Sequence, residues 1–173
     1  MQPLKIIKLL SLLSSVMLLF NFATCRYGFK DVSPIPQEVK TFRVTQFDNR
    51  AQYVNTQLST QLTEKTKQKI INTTRLRQTN NDDAHYDITG FVSQYYTTTI
   101  SITGNNSSGN RLNVGFHLIF KNTLDSKKDF ETDLTRTYDF AAQRSLTQAE
   151  AELTPKIVTD VVDDIFNKIF SNW

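Results

Sequence analysis

Cysteine is almost missing from this 173-residue chain: Cys25 is the only one. A lone cysteine closes no disulfide framework and cannot build a Cys₂His₂ or Cys₄ zinc site. Glycine (five) and proline (four) are scarce, which excludes collagen-like, elastin-like and wholly disordered classes. Histidine is limited to His85 and His117. No serine nucleophile elbow, glycine-rich phosphate loop or paired metal-ligand spacing occurs. The sequence therefore gives no reason to expect an enzyme, a cofactor or a metal. The longest apolar stretch, Leu9 to Phe20, interrupted only by Ser11, Ser14 and Ser15, falls well short of the roughly 20 residues that a membrane-spanning helix needs.

A strong excess of positive charge is also missing, although the net charge of +3 and a pI near 9.0 suggest one. Lys5 and Lys8 stand before the apolar run with no acid beside them, and the small residues Ala23 and Thr24 follow it. This is the layout of a secretory signal; an uncleaved membrane anchor is the alternative. Removal of residues 1–24 leaves 149 residues with 18 basic and 17 acidic side chains. Nucleic acid is thus not an expected partner.

Cys25 follows the apolar run and the small pair Ala23–Thr24, and resembles the cysteine of a bacterial lipobox. Acylated there, it would carry several chains, enough for stable membrane anchoring. Residues 25–38 hold Pro34 and Pro36 and little periodicity, so they read as a lipidated tether. Residues 39–173 read as a single α+β domain.

Within that domain Thr41 to Phe47 alternates loosely as a first strand. A helix is expected over roughly Val54 to Asn72, with Val54, Leu58 and Leu62 four residues apart. Three strand-like runs follow without a helix between them. Tyr86, Ile88, Val92, Tyr96, Ile100 and Ile102 share one parity in the first. Leu112, Val114, Phe116, Leu118 and Phe120 define the second, and Phe130, Leu134, Tyr138 and Phe140 the third. Gly104 to Asn110 and Asn122 to Lys128 read as polar hairpin loops. In the last helix, Leu153, Ile157, Val161, Ile165 and Ile169 run beside Val158, Val162, Phe166 and Phe170. Its start is open: Thr147 with Glu150 could form a capping box, or Thr154 could cap with Pro155 first. The order is β-α-β-β-β-α, two helices on one face of a four-stranded mixed sheet. Asp164 can pair with Lys168, and Asp160 with Lys156, at i,i+4.

Lys65, Lys67, Lys69, Arg75 and Arg77 lie within thirteen residues against Glu64 alone. They form either a solvated face or a patch for phosphates or an acidic partner. Lys121, Lys127 and Lys128 form a smaller group. Thr97, Thr98 and Thr99 with Asn105 and Asn106 make the strand ends rich in hydrogen-bonding groups, next to Arg111.

Several segments in order resemble one known family. They include Cys25-Arg26-Tyr27-Gly28-Phe29, Val39-Lys40-Thr41-Phe42 and Phe47-Asp48-Asn49-Arg50-Ala51. Asn110-Arg111-Leu112, Phe120-Lys121-Asn122-Thr123, Phe130-Glu131 and Arg136-Thr137-Tyr138-Asp139 follow, and then the run from Asp164 to Trp173. The chain resembles the LptE family of lipopolysaccharide-assembly outer-membrane lipoproteins in its Bacteroidetes branch. The resemblance implies a two-helix, four-strand sandwich without catalytic residues, from a Gram-negative cell envelope. It also implies a plug inside the β-barrel LptD that helps barrel assembly and lipopolysaccharide passage to the outer leaflet. The location so implied is the outer membrane, lipid-anchored through Cys25, facing the periplasm and inserted in the barrel lumen. The polar strand ends from Thr97 to Arg111 are the expected barrel contact, and the Lys65–Arg77 cluster the expected site for lipopolysaccharide or another anion. The competing class is a periplasm-facing scaffold or binding lipoprotein of similar fold, unconnected with lipopolysaccharide.

Overall fold

The computed structural model describes residues 35–102 and 107–171, all within one compact unit, Ser33–Trp173. The expected export signal, Cys25 and most of the expected tether lie outside the described residues. The elements are β1 (Thr41–Val44), β2 (Asp48–Asn49), α1 (Thr56–Thr73), β3 (Arg77–Gln78), β4 (Tyr86–Ile102), β5 (Ser107–Asn122), β6 (Phe130–Ala141) and α2 (Leu146–Phe170). A short 3₁₀ turn, Ser126–Lys128, joins β5 to β6.

The sheet has six strands, not four, in the order β3-β1-β4-β5-β6 with β2 beside β4. The two extra strands are two residues each. The expected first strand breaks after Val44 because Phe47 turns into the core, where its N–H donates to Thr63 Oγ1 at 2.9 Å. The chain then pairs again as β2 with Phe91 and Val92. β1, β2 and β3 run parallel to their neighbours, whereas β4, β5 and β6 form an antiparallel meander. Both helices pack on one face, and β5 shows why: Leu112, Val114, Phe116, Leu118 and Phe120 are all buried, as its alternation predicts.

Asn55 caps α1, its Oδ1 accepting from the N–H groups of Gln57 and Leu58. That cap moves the helix start past Val54, which is left 54% exposed. In α1 the core row mixes Leu58, Leu62 and Ile70 with Ser59, Thr63 and Thr66. Thr63 is satisfied by donating to the Ser59 carbonyl.

α2 begins at Leu146, capped by Ser145 in a box with Gln148, so neither expected start is used. The helix continues through Pro155. Pro155 and Ala151 are both exposed, so the carbonyl that loses its N–H donor can turn to water. Lys156 pairs with Asp160 as expected, at 2.9 Å. Asp164 pairs not with Lys168 but with Arg136 of β6, through two N–H bonds of 2.5 and 2.6 Å. The planar guanidinium fork suits a carboxylate better than a lysine four residues away.

The expected parity of β4 fails halfway. Val92 faces Phe116 and Gln94 faces Gly115, so Ser93 is an extra residue in the ladder. This β-bulge shifts the pattern by one. Tyr95 becomes the inward residue at 1% exposure, and Tyr96 faces outward. The β4–β5 hairpin is also longer than its polar composition suggests. The ladder continues to Ile102 and Ser107 through residues expected to form the loop.

Candidate functional site

The five cations of the expected anion patch do not form one surface. α1 turns about 100° per residue, which sets Lys67 on a different side from Lys65 and Lys69. Lys67 Nζ bonds Glu64 at 2.8 Å. Lys69 Nζ reaches across to Asp163 of α2 at 2.6 Å and lies 5.3 Å from the Phe166 ring centroid. Lys65 and Lys69 share a groove of about 520 Å³ between the two helices, with Gln61, Asn72, Val158 and Val162 among its walls. Arg75 lies past the helix end, donating to the carbonyls of Ile35 and Pro36 at 2.8 Å each. Arg77 belongs to β3 at the sheet edge.

The expected partner surface lies on the distal half of β4. Thr97, Thr98 and Thr99 are exposed. β1 and β2 pair with β4 only as far as Val92, so beyond it this edge has no strand neighbour among the described residues. From Gln94 to Thr99 it carries no charged residue. Arg111 is held by Asp139 of β6 through bonds of 2.6 and 2.9 Å. Asn105 and Asn106 lie outside the described residues.

Two polar constellations were not legible from spacing. At the top of the helices Glu150 receives Tyr95 Oη at 2.8 Å, Asn55 Nδ2 at 3.1 Å and Tyr53 Oη at 3.4 Å. Burial, with Glu150 beside it, pushes the Tyr95 hydroxyl well above its ordinary pKa. On the open face of the sheet a ribbon runs from Arg50, just past β2, across β4, β5 and β6. Arg50 lies over the Phe91 ring at 4.1 Å, and Phe91 stacks on His117 at 4.9 Å. His117 Nδ1 lies 2.8 Å from Asp133, and its Nε2 3.5 Å from Glu131. The hydrogen bond to Asp133 raises the His117 pKa above the usual value.

Among the described residues no group of three or more His, Cys, Asp or Glu is placed to hold a metal ion. No helix among them is long and apolar enough to cross a membrane.

Comparison with known proteins locates the fold. Residues 39–169 match the model of the LptE, lipopolysaccharide-assembly, family. A minor lipoprotein from Acinetobacter baumannii is 16% identical and superposes with a TM-score of 0.51 over 76% of this chain and 92% of that one. A rare lipoprotein B from Shewanella oneidensis is 15% identical, with a TM-score of 0.44 over 73% and 92% of the two chains. Lipoprotein B from Nitrosomonas europaea is 15% identical, with 0.47 over 78% and 88%. No curated protein matches the sequence.

Proposed function

The chain belongs to the LptE, lipopolysaccharide-assembly, family, and from that premise we propose that it is a non-catalytic outer-membrane lipoprotein that plugs the β-barrel LptD. Its family is one of non-enzymatic, membrane-associated envelope lipoproteins with a role in lipopolysaccharide transport. The observation that carries the reading is the family match, which spans both helices and all six strands.

Residues 1–24 direct export, Cys25 takes the lipid, residues 25–38 tether, and the domain from 39 onward enters the barrel lumen from the periplasmic side with its Thr97–Arg111 end leading, so that the opposite end of the β4–β5 ladder stays at the periplasmic mouth. A domain in a polar lumen needs outward hydroxyl and amide groups rather than large apolar patches. Support comes from the exposed Thr97, Thr98 and Thr99 on the unpaired half of β4. That stretch, with Asn105, Asn106 and Arg111, is the proposed barrel contact. Of the five cations, Lys65 and Lys69 line one groove with apolar side chains. An amphiphile carrying phosphates fits that combination. Lys67, Arg75 and Arg77 would act there only through long-range charge.

The test is co-purification from detergent-solubilised outer membrane. A large β-barrel should accompany the wild-type chain, and Thr97→Ala/Thr98→Ala/Thr99→Ala should reduce its recovery and maturation. Recovery of the chain with no barrel would refute the plug. For the groove, Lys65→Glu/Lys69→Glu should weaken lipopolysaccharide binding at least tenfold; unchanged affinity would remove the groove from the proposal and leave the barrel role standing.

A further inference from the structure

The β5–β6 connection combines features that neither the barrel nor the lipopolysaccharide groove uses. Leu124 stands 51% exposed in it. Hydrogen bonds tie the loop: Asn122 Oδ1 accepts from the N–H groups of Leu124 and Asp125 at 3.0 and 3.2 Å. Thr123 Oγ1 also donates to the Ala84 carbonyl. Leu124 is therefore held outward by a closed hydrogen-bond set.

Beside the loop lies a pocket of about 360 Å³. Tyr86, Phe120 and Phe170 floor it, with Tyr86–Phe120 centroids 4.9 Å apart. Lys127, Lys128 and Lys168 border it, all exposed. Two acids lie close by, Asp129 in the pocket wall and Asp125 beside Lys128. Asp129 Oδ1 accepts from the Asn122 N–H at 2.7 Å, and Asp125 Oδ1 from the Lys127 N–H. Lys128 meets Asp125 only at 3.9 Å. Lys127 and Lys168 have no ion-pair partner among the described residues.

We propose that this end of the domain docks on an anionic phospholipid surface, with Leu124 entering the acyl boundary and the three lysines taking headgroup phosphates. Charge complementarity favours that occupant: three exposed lysines border an aromatic floor against one carboxylate in the same wall, Asp129, and one beside Lys128, Asp125. Each lysine near an anionic bilayer strengthens binding by about fivefold at low salt. The aromatic floor suits the interfacial depth, where rings meet both hydrocarbon and headgroup. Position in the chain agrees. Ile35, in the pocket wall, comes ten residues after Cys25. A ten-residue segment spans at most about 36 Å, so on the lipid-anchored reading proposed above this end works close to the bilayer. Only that clause rests on the anchor; loop and pocket stand without it.

The experiment uses the chain from residue 25 onward carrying Cys25→Ser, so that neither acyl chains nor the apolar export segment contributes. Flotation is measured with phosphatidylcholine vesicles and with phosphatidylcholine–phosphatidylglycerol vesicles at three to one. The expected result is at least tenfold preference for the anionic vesicles at low salt, weakening as salt rises. Lys127→Glu/Lys128→Glu/Lys168→Glu abolishes the preference, Lys168→Gln alone lowers it several-fold, and Leu124→Ser reduces binding to both vesicles. Equal binding to both vesicle types overturns the proposal. So does a preference that survives the triple change with an unaltered circular-dichroism melt. Full competition by millimolar inorganic phosphate, or a preference for vesicles doped with lipopolysaccharide but not phosphatidylglycerol, overturns it too. Acyl labelling of the wild-type chain tests the anchor separately, so either can fail alone.

Discussion

The ring of Phe116 occupies the space that a side chain at Gly90 would need: a Cβ there would lie 2.7 Å from Cζ of Phe116 and 2.5 Å from the His117 carbonyl oxygen. Phe116 in turn packs edge-on against Phe47 at 4.9 Å. The missing side chain in β4 thus lets the sheet close under the loop between β1 and β2. Backbone cannot give way as a side chain tip can, so Gly90→Ala is expected to cost about 1–3 kcal/mol. Gly90→Val costs more. Urea denaturation of both variants measures this; unchanged midpoints would contradict the packing.

Gly115 has a different reason for lacking a side chain. Opposite it the bulge crowds two residues, and a Cβ would meet Ser93 Oγ at 2.9 Å and Gln94 Cβ at 3.0 Å. Gly115→Thr should therefore destabilise the wild-type chain. It should be far better tolerated where Ser93 is deleted, because the ladder then pairs one residue with one. A double-mutant cycle should give a coupling of about 0.5–3 kcal/mol; additive effects would exclude the crowding.

Glu150 satisfies a hydroxyl that has no route to water. Glu150→Ala leaves the buried Tyr95 Oη and the Asn55 amide without an acceptor, a loss of about 1–3 kcal/mol. Tyr95→Phe should cost less, since Glu150 is only half-buried and can be hydrated. The order of the two melting temperatures decides the matter.

His117 makes stability depend on pH. Asp133 and Glu131 from β6 face its ring, and Phe91, with Arg50 on its far side, covers it. Its folded pKa is raised above the ordinary 6.5. The stabilisation is then fully present below about 6.5 and fades as pH rises through the folded value. Chemical denaturation at pH 6 and pH 8 should show this decline, and His117→Gln should flatten it. A wild-type curve with no slope in that window would rule it out.

Pro155 sits inside α2 and removes one hydrogen bond on the exposed side. Pro155→Ala should add about 1–3 kcal/mol of stability, seen as a higher thermal midpoint. A lower midpoint would assign Pro155 a packing role.

The legible parts of the fold were those with an unbroken period. β5 alternates without interruption, and the apolar stripe of α2 buries Ile157, Val161 and Ile165 as spaced. β4 misled because one bulge residue inverts every later side chain, although Gly115 in the facing strand was a usable sign. β2 and β3 are too short to show a period. The charge cluster is divided for a related reason. Proximity in sequence is not proximity on a helix, and Lys67 and Lys69 find partners in opposite directions. Nothing local could connect Glu150 with Asn55, 95 residues away. The small lysine group at Lys127 and Lys128 gained weight only when folding brought Lys168 beside it.

The unpaired half of β4 also has a consequence for supply. An exposed, uncharged strand edge with no lysine or proline to guard it invites pairing with another copy. If a barrel covers that edge, as proposed above, copies made in excess of it would meet one another first, and production matched to the partner would keep them apart. On that reading stoichiometry, and not only affinity, depends on residues 94–99.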